Sequence, residues 1–278
     1  MPTKKTRALG STDMKWTPIG LGTWDMERDA KKSIRALQAG LDEGANHIDT
    51  AEMYGSGRVE SLVGEAIQGR RDQVFLVSKV LPSNADYDGT IAACHRSLAR
   101  LKTGHLDVYL LHWRQKNKPL AETVRAFETL KQGGKIRAWG VSNFDVEDME
   151  ELAALAGAEN IACNQVLYHL RERAIEIKLI PWCRARNIPI VAYSPLGQGK
   201  MPQHAALDAV AEDHGVSAAQ AALAFLIRDP NVFAVPKSAD ERRARDNVRA
   251  ADLALSTAEI KKISDAFPAK PRRGLPMI

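Results

Sequence analysis

The sequence predicts an α/β protein folded as a (β/α)8 TIM barrel, with eight parallel strands, a short N-terminal hairpin and an extra C-terminal helix. Short apolar runs that suit strands alternate along the 278-residue chain with amphipathic stretches that suit helices. The strand runs are continuously apolar rather than alternating, which is typical of a parallel sheet covered on both faces. Eight such units in a chain of this length favour one closed barrel, so we expect a single domain over residues 1–278.

The individual elements follow from apolar spacing and from turn residues. Ile34, Leu37 and Leu41 recur at helical spacing, for example, and predict the first helix. After a hairpin over residues 7–17, strands are predicted at residues 19–23, 47–49, 74–79, 106–112, 136–142, 161–167, 188–193 and 232–235. The helices that connect the strands are predicted at residues 29–44, 58–69, 87–102, 119–133, 146–156, 175–186, 205–214, 217–228 and 240–250. A last helix over 256–267 starts with the capping-box pattern Ser256-Thr257-Ala258-Glu259, and residues 268–278 are expected to form an irregular tail.

A doubly wound open sheet is the alternative fold. It usually carries a glycine-rich first turn that binds a dinucleotide, with the pattern G-x-G-x-x-G. Here Gly20-Leu21-Gly22 continues with Thr23-Trp24-Asp25 and has no third glycine. The closed barrel is therefore favoured over the open sheet.

Composition excludes several functional classes. Apolar residues make up 45% of the chain and charged residues 26%, and the net charge of +5 is spread over interspersed cations and anions. This pattern suits a solvated surface better than a nucleic-acid partner. Cys94, Cys163 and Cys183 form no C-x-x-C pattern, which argues against a disulfide framework and a structural zinc site. With no signal-like N-terminus, no run long enough to span a membrane and no long exposed apolar helix face, we expect a cytoplasmic monomer without a membrane partner.

Polar or aromatic side chains follow every predicted strand. In a barrel the carboxyl ends of the strands meet at one rim, where the active site lies. In strand order these side chains are Thr23 and Trp24; Asp49 and Tyr54; Lys79; His112 and Trp113; Ser142 and Asn143; Asn164 and Gln165; Tyr193 and Ser194; and Pro236, Lys237 and Ser238. Core packing alone does not account for such a set, so we expect a functional rim.

Four of these side chains suit carbonyl reduction. A buried Lys79 needs a partner, and Asp49 on the neighbouring strand can supply it. A cation beside Tyr54 is expected to lower its pKa from about 10, so that the phenol can pass a proton to a developing alkoxide. His112 can orient the same carbonyl oxygen. Because these residues supply no hydride, a nicotinamide cofactor is implied.

Each of these residues has a structural interpretation when it is taken alone. Asp49 and Lys79 can form a structural ion pair, His112 can be a core histidine, and Tyr54 can simply pack. Their joint placement on three adjacent strand ends favours function. The tryptophans at the rim, Trp24 and Trp113, are expected to wall a substrate pocket.

Seven short motifs, in chain order, carry a family resemblance. They are Gly20-Leu21-Gly22-Thr23-Trp24, Asp49-Thr50-Ala51-Glu52-Met53-Tyr54-Gly55, Leu110-Leu111-His112-Trp113, Gly140-Val141-Ser142-Asn143-Phe144, Asn164-Gln165, Tyr193-Ser194-Pro195-Leu196 and Pro236-Lys237-Ser238. With them the chain resembles the aldo-keto reductases from end to end. It is most similar to the bacterial branch associated with methylglyoxal and other small aldehydes.

The resemblance implies NADPH-dependent reduction of small aldehydes and ketones on a barrel that has no Rossmann domain and no metal. Asp49, Tyr54, Lys79 and His112 match the family's catalytic tetrad, with Tyr54 as the general acid. Residues that match the family's cofactor contacts are Gly22, Thr23, Trp24, Asp49, Ser142, Asn143, Gln165, Tyr193, Ser194, Pro195, Leu196, Pro236, Lys237, Ser238, Arg243 and Asn247. Within that set, Ser142, Asn143 and Gln165 match the carboxamide contacts and Tyr193 the ring that stacks on nicotinamide. Lys237 and Arg243 match the contacts with the 2′-phosphate, and Trp24, Tyr54, His112 and Trp113 are the expected substrate contacts.

Two departures from the family pattern affect the expected pocket and cofactor contacts. Residue 246 is Asp where many relatives carry Glu or Gln, which weakens the assignment of adenosine contacts there. The tail after residue 267 is short compared with relatives that close a long loop over the substrate, so we expect an open pocket.

Three other functions are conceivable for these residues. A metal-dependent hydrolase or lyase using Asp49, Glu52 and His112 is disfavoured, since Lys79 would repel a metal ion. A serine hydrolase is disfavoured because the stretch around Ser142 lacks the second glycine of a nucleophile elbow. A non-catalytic nicotinamide-binding sensor or regulatory subunit on the same barrel is the alternative that the tetrad disfavours but leaves open.

Overall fold

Eight parallel strands alternate with helices in the computed structural model, which describes residues 5–277. A two-stranded antiparallel hairpin of β1 (Arg7–Ala8) and β2 (Lys15–Trp16) precedes them. The parallel strands are β3 (Leu21–Gly22), β4 (His47–Asp49), β5 (Phe75–Val80), β6 (Leu106–Leu111), β7 (Ile136–Ser142), β8 (Ile161–Leu167), β9 (Ile190–Tyr193) and β10 (Val232–Val235). The helices are α1 (Ala30–Asp42), α2 (Arg58–Ala66), α3 (Tyr87–Leu101), α4 (Leu120–Gln132), α5 (Val146–Ala156), α6 (Leu179–Arg184), α7 (Ala205–Asp213), α8 (Ala218–Leu226), α9 (Glu241–Arg249) and α10 (Thr257–Ala266). The predicted barrel, its hairpin and its extra C-terminal helix are confirmed.

The sheet closes between its first and last strands. Strands β3 to β10 pair in chain order, and Ile19 then bridges to Ala234 in parallel. The Gly20 N–H donates to the Ala234 carbonyl at 2.9 Å, and the Gly22 N–H to the Pro236 carbonyl at 3.1 Å. A Cβ atom at Gly22 would lie 2.4 Å from the Val235 carbonyl oxygen, so the seam requires glycine there.

The hairpin closes the end of the barrel opposite the rim. Its Trp16 ring stacks on His47 at 4.4 Å and lies 6.4 Å from Phe75, and these two residues begin β4 and β5. Leu9 and Met14 join them in a cluster of side chains from the barrel interior. The barrel is therefore a packed core at this end, and only the opposite rim is open for chemistry.

Buried His47 predicts how stability depends on pH. Burial lowers the pKa of His47 to about 3, and neither ring nitrogen has a hydrogen-bond partner. The unfolded chain, with an ordinary histidine pKa of about 6.5, binds the proton more readily than the native chain. Native stability should therefore fall as the pH drops from about 6.5 to 3, with a contribution of up to about 1.4 kcal/mol per pH unit from this residue.

A His47→Leu variant removes that titration. Urea unfolding at several pH values should give a flatter stability profile for the variant than for the wild type, although His112 still titrates in both. Equal acid slopes in the two proteins would contradict a role for His47.

The predicted helix over residues 175–186 is wrong at its start. The structure has a 3-10 turn at Ala174–Glu176 and begins α6 at Leu179. Pro181 lacks an N–H and is tolerated in the first turn of a helix, so the start moves forward to place it there. Both expected sides of the Ser256–Glu259 capping box are present on α10.

The other end of the described chain has no regular structure. Residues 268–277 form no helix or strand, as predicted for the tail, and its last residue, Ile278, lies outside the described residues. Among the described residues, no helix is long and apolar enough to cross a membrane.

Candidate active site

A buried ion pair lies at the rim where β4 and β5 are neighbours. The Lys79 ammonium donates to Asp49 Oδ2 at 2.8 Å, to the Thr50 carbonyl at 2.9 Å and to the Tyr54 hydroxyl at 3.2 Å. Lys79 is fully buried and Asp49 is 3% exposed. Burial alone would lower the pKa of Lys79, but Asp49 and Tyr54, through their charges and hydrogen bonds, together outweigh it and the net pKa is raised. The predicted pairing of Asp49 with Lys79 is confirmed, and Lys79 is charged at neutral pH.

Tyr54 stands on an irregular turn directly before α2. Gly55, Ser56 and Gly57 all adopt left-handed backbone conformations, with φ of 54°, 54° and 87°. Burial raises the pKa of Tyr54; Lys79 lowers it, but Asp49 behind Lys79 raises it again. The predicted lowering of the Tyr54 pKa is therefore wrong, because desolvation of the phenolate outweighs the cation. The phenol keeps its proton at neutral pH.

His112 lies beside Tyr54 at the end of β6. Its ring centroid is 5.8 Å from that of Tyr54, in an edge-to-face arrangement, and 4.9 Å from Trp113. Burial, and then the charge of Lys79, lower the pKa of His112 to about 2. The imidazole is neutral throughout the physiological range, so it can offer one N–H to a carbonyl oxygen.

The polar residues that follow β7, β8 and β9 form one network with the ion pair. Asn143 has φ of 61°; its amide NH₂ donates to the His112 carbonyl at 3.0 Å and to Ser142 Oγ at 3.1 Å. Its amide oxygen accepts from the Tyr193 hydroxyl at 2.9 Å. Gln165 donates across the barrel to Asp49 Oδ1 at 2.7 Å. Both Asp49 oxygens are therefore engaged, one by Lys79 and one by Gln165.

The rim residues nearest the barrel seam are partly structural. The Thr23 hydroxyl donates to the Asp49 carbonyl at 2.8 Å, which joins β3 to β4. Trp24 is 47% exposed, and Met53 beside Tyr54 is 39% exposed, so this side of the rim is open. Cofactor contacts remain a prediction for three residues here, Gly22, Thr23 and Trp24.

Free cations lie at the start of α9. Lys237 and Arg243 are exposed, and among the described residues neither side chain forms an ion pair, whereas Arg249 on the same helix binds Glu43 at 3.0 Å. Asn247, in contrast, is buried. The groove beside it, between α1 and α9, is too narrow to admit a water molecule; its lining includes Gly22, Pro236, Ser238 and Asn247. Two unpaired cations near the exposed start of a helix fit the phosphate end of a dinucleotide.

Other clusters on the described chain do not resemble this site. An open depression of about 460 Å³ lies near His95, Lys102 and Lys135, beside the starts of β6 and β7, at the opposite end of the barrel. Within residues 5–277, no group of three or more His, Cys, Asp or Glu side chains is arranged to hold a metal ion.

Comparison with known proteins gives the family. The model of the aldo/keto reductase family matches residues 18–267. The chain belongs to the aldo-keto reductase family. It is 46% identical over 277 residues to the methylglyoxal reductase YeaE of Escherichia coli, covering 96% of this chain and 97% of that protein. It is 36% identical over 280 residues to the glyoxal reductase of Bacillus subtilis, covering 99% of this chain and 97% of that one.

A solved aldo-keto reductase has the same fold over the whole chain. The Klebsiella pneumoniae aldo-keto reductase crystallised with NADPH superposes with a TM-score of 0.94 at 44% identity, and all of both chains is covered. This aldo-keto reductase therefore shares its complete barrel with an enzyme that binds a nicotinamide cofactor.

Sequence reasoning missed two contacts of the site. The Gln165 bond to Asp49 joins residues 116 positions apart on strands that are not neighbours. Glu52 lies between Asp49 and Tyr54 and was assigned no role in the proposed reaction, yet it is buried and accepts two hydrogen bonds. Its position between two functional residues was the one available signal.

Proposed function

We propose that this aldo-keto reductase reduces small aldehydes and ketones with NADPH, and that Tyr54 donates the proton to the carbonyl oxygen. The observation that carries the proposal is the 3.2 Å hydrogen bond from the Lys79 ammonium to the Tyr54 hydroxyl oxygen. Because Lys79 occupies an acceptor position of the phenol, the O–H of Tyr54 is left to donate to a substrate.

Each side chain of the tetrad has its own role in the proposed reduction. NADPH, when it is bound, supplies the hydride that the chain itself lacks. Tyr54 gives its proton to the carbonyl oxygen, and Lys79 stabilises the phenolate that remains. Neutral His112, whose ring lies beside that of Tyr54, donates to the same oxygen and orients the carbonyl. Asp49 keeps Lys79 charged and in place.

The cofactor-binding residues are proposed to lie along the rim. Ser142, Asn143 and Gln165 would hold the carboxamide, Tyr193 would stack on the nicotinamide, and Ser194 and Leu196 would contact the pyrophosphate side. Lys237, Ser238, Arg243 and Asn247 would hold the adenosine end. The unpaired state of Lys237 and Arg243 supports this assignment, because a phosphate can bind both without displacing an existing ion pair.

Small substrates are favoured by the open rim and by the relatives. The exposure of Trp24 and Met53 leaves room beside Tyr54 without a closing loop. Since relatives are named for methylglyoxal and glyoxal, we propose carbonyls of that size as substrates. We further propose a cytoplasmic monomer that acts on small molecules rather than on nucleic acid, which its evenly mixed surface charge supports.

Removing both free cations should change cofactor preference. Each charge-assisted hydrogen bond to the 2′-phosphate is worth about 1.5–3 kcal/mol. The Lys237→Ala, Arg243→Ala double variant should therefore bind NADPH at least about 100-fold more weakly than the wild type. NADH affinity should change little, because NADH has no 2′-phosphate. Fluorescence titration with both cofactors measures the two affinities.

The neighbouring Arg242 provides a matched control for that variant. It is also exposed on α9 and forms no ion pair among the described residues. Arg242→Ala should leave both affinities nearly unchanged. Equal losses for NADPH and NADH in the double variant would contradict the 2′-phosphate assignment.

The proposed reaction is tested by NADPH oxidation with a panel of small carbonyls. Methylglyoxal, glyoxal and simple ketones should each be compared with NADH as the alternative donor. We expect turnover of the dicarbonyls with NADPH. Binding of NADPH without turnover of any carbonyl would instead support the sensor or regulatory alternative.

A further inference from the structure

We infer that Glu52 is a positioning residue, whose carboxylate sets the distance between the Tyr54 hydroxyl and the Lys79 ammonium; this inference rests on the proposed function. Glu52 lies in the segment that joins Asp49 to Tyr54 and is only 9% exposed. Its side chain bonds to Leu81, Asn84 and Arg96 rather than to Tyr54 or Lys79, so it acts through the backbone.

The Glu52 carboxylate continues the pairing of β4 with β5 beyond the last regular backbone bond. The Thr50 N–H donates to the Val77 carbonyl at 2.9 Å, and the Glu52 N–H donates to the Lys79 carbonyl at 3.4 Å. At the next step no backbone carbonyl is used. Instead the Leu81 N–H donates to Glu52 Oε1 at 2.8 Å. The side chain therefore ties the segment before Tyr54 to the strand that carries Lys79.

The loop that Glu52 holds is itself well anchored. Asn84 donates its amide to the same Oε1 atom at 2.9 Å. Around it, Lys118 donates to the Ser83 carbonyl at 2.8 Å and Thr123 donates to the Ala85 carbonyl. Glu52 thus ties the segment before Tyr54 to a loop that other side chains anchor.

The turn after Tyr54 offers little alternative support. Tyr54 donates its N–H to the Ala51 carbonyl at 3.1 Å, and the three residues that follow are all left-handed and pair with no strand. The Glu52 bonds therefore link the segment directly before Tyr54 to the strand that carries Lys79, in addition to the bonds that Lys79 itself makes. A shift of about 1 Å in a reacting group can cost about 100-fold in rate.

Hydrogen-bond acceptance matters more than charge at this position. The nearest cation, Arg96, is half-exposed and lies 3.8 Å from the other carboxylate oxygen, Oε2. Such a pair contributes little. Glutamine keeps an oxygen for Leu81 and Asn84, so it should preserve the position of Tyr54, whereas alanine removes both bonds.

The test compares Glu52→Ala and Glu52→Gln with the wild type. In Glu52→Ala, kcat for methylglyoxal should fall about 10- to 100-fold, while KM and the NADPH dissociation constant stay nearly constant. The solvent deuterium isotope effect should rise, because proton donation becomes slower. Glu52→Gln should restore kcat to within about twofold. Equal losses in the two variants, or an unchanged kcat in folded Glu52→Ala, would overturn the inference.

A second buried acid separates positioning from stability. Glu60 is fully buried and accepts from Ser78 and Arg100, both at 2.6 Å, so it joins α2 to β5 and α3 rather than to the Tyr54 segment. Glu60→Gln should lower the melting temperature without changing kcat or the isotope effect in the folded protein. A loss of kcat there equal to that of Glu52→Ala would make the Glu52 effect a general loss of stability.

A structural readout keeps this test independent of the proposed reaction. The wild-type distance from Lys79 Nζ to the Tyr54 hydroxyl is 3.2 Å. A crystal structure of Glu52→Ala should show this distance lengthened, and one of Glu52→Gln should show it kept. If the wild type reduces no carbonyl, the proposed function fails, but the distances still decide whether Glu52 positions Tyr54.

Discussion

Replacement of Tyr54 by phenylalanine is expected to lower kcat for methylglyoxal reduction by about 10²- to 10⁴-fold, the usual contribution of a positioned acid. The variant removes only the hydroxyl that accepts from Lys79. The ring stays, with its centroid 5.8 Å from that of the His112 ring, so packing at the rim should be preserved. Steady-state kinetics with NADPH measures the loss.

The control for this variant is cofactor binding. NADPH affinity of Tyr54→Phe should match that of the wild type, because every proposed cofactor contact except Asp49 follows another strand and Asp49 is unchanged. Undiminished turnover in the variant would remove Tyr54 as the acid. Loss of both turnover and NADPH binding would show that the hydroxyl supports the cofactor site as well as the proton transfer.

The pKa directions also predict the pH profile of the reduction. Burial raises the pKa of Tyr54, so the acid form persists beyond the ordinary tyrosine value of about 10. Burial lowers the pKa of His112 to about 2, so that ring does not gain a proton near its ordinary value of 6.5. Between about pH 6.5 and pH 10, titration of Tyr54 or His112 should therefore cause no loss of rate.

Replacement of Lys79 by methionine is expected to destabilise the fold by about 3–5 kcal/mol, the usual cost of removing one partner of a buried ion pair. Asp49 is 3% exposed and would be left as a buried carboxylate without its cation. Urea unfolding at neutral pH measures the change. The same variant should also lose carbonyl reduction, because nothing then stabilises the Tyr54 phenolate.

A double variant separates the two effects. In Asp49→Asn with Lys79→Met, the uncompensated charge is gone and the asparagine oxygen can still accept from Gln165. Its stability should lie well above that of Lys79→Met alone, while its activity stays lost. A double variant as unstable as the sum of the two single variants would contradict the ion-pair explanation.

Residue patterns predicted the barrel because each strand is a short apolar run that ends in a polar residue. In a parallel barrel those ends must meet, so Asp49, Lys79 and His112 were placed on one rim without any knowledge of side-chain packing. The same argument could not give the direction of the Tyr54 pKa. That direction depends on how far burial of Tyr54 outweighs the charge of Lys79. The residues next to Tyr54 in the sequence do not reveal how deeply its side chain is buried.

Hydrogen bonds across the barrel also could not be predicted from the sequence. Gln165 reaches Asp49 from β8 to β4, and the bond depends on the width of the closed barrel. The position of Glu52 in the sequence did not decide its role. A carboxylate between two functional residues suits a metal ligand, a solvated turn or a backbone anchor equally well. The predicted start of α6 is wrong because Pro181 suits the first turn of a helix, which places the start at Leu179.

The most direct test of the proposed reaction uses NADPH labelled with deuterium at the transferred position. The wild-type protein is mixed with this cofactor and methylglyoxal, and the alcohol product is analysed by mass spectrometry. Direct hydride transfer predicts one deuterium per molecule of alcohol, bound to the former carbonyl carbon, with one NADPH consumed. Alcohol without deuterium, or bound NADPH with no alcohol formed, would contradict the assignment of this protein as a carbonyl reductase that works through Tyr54.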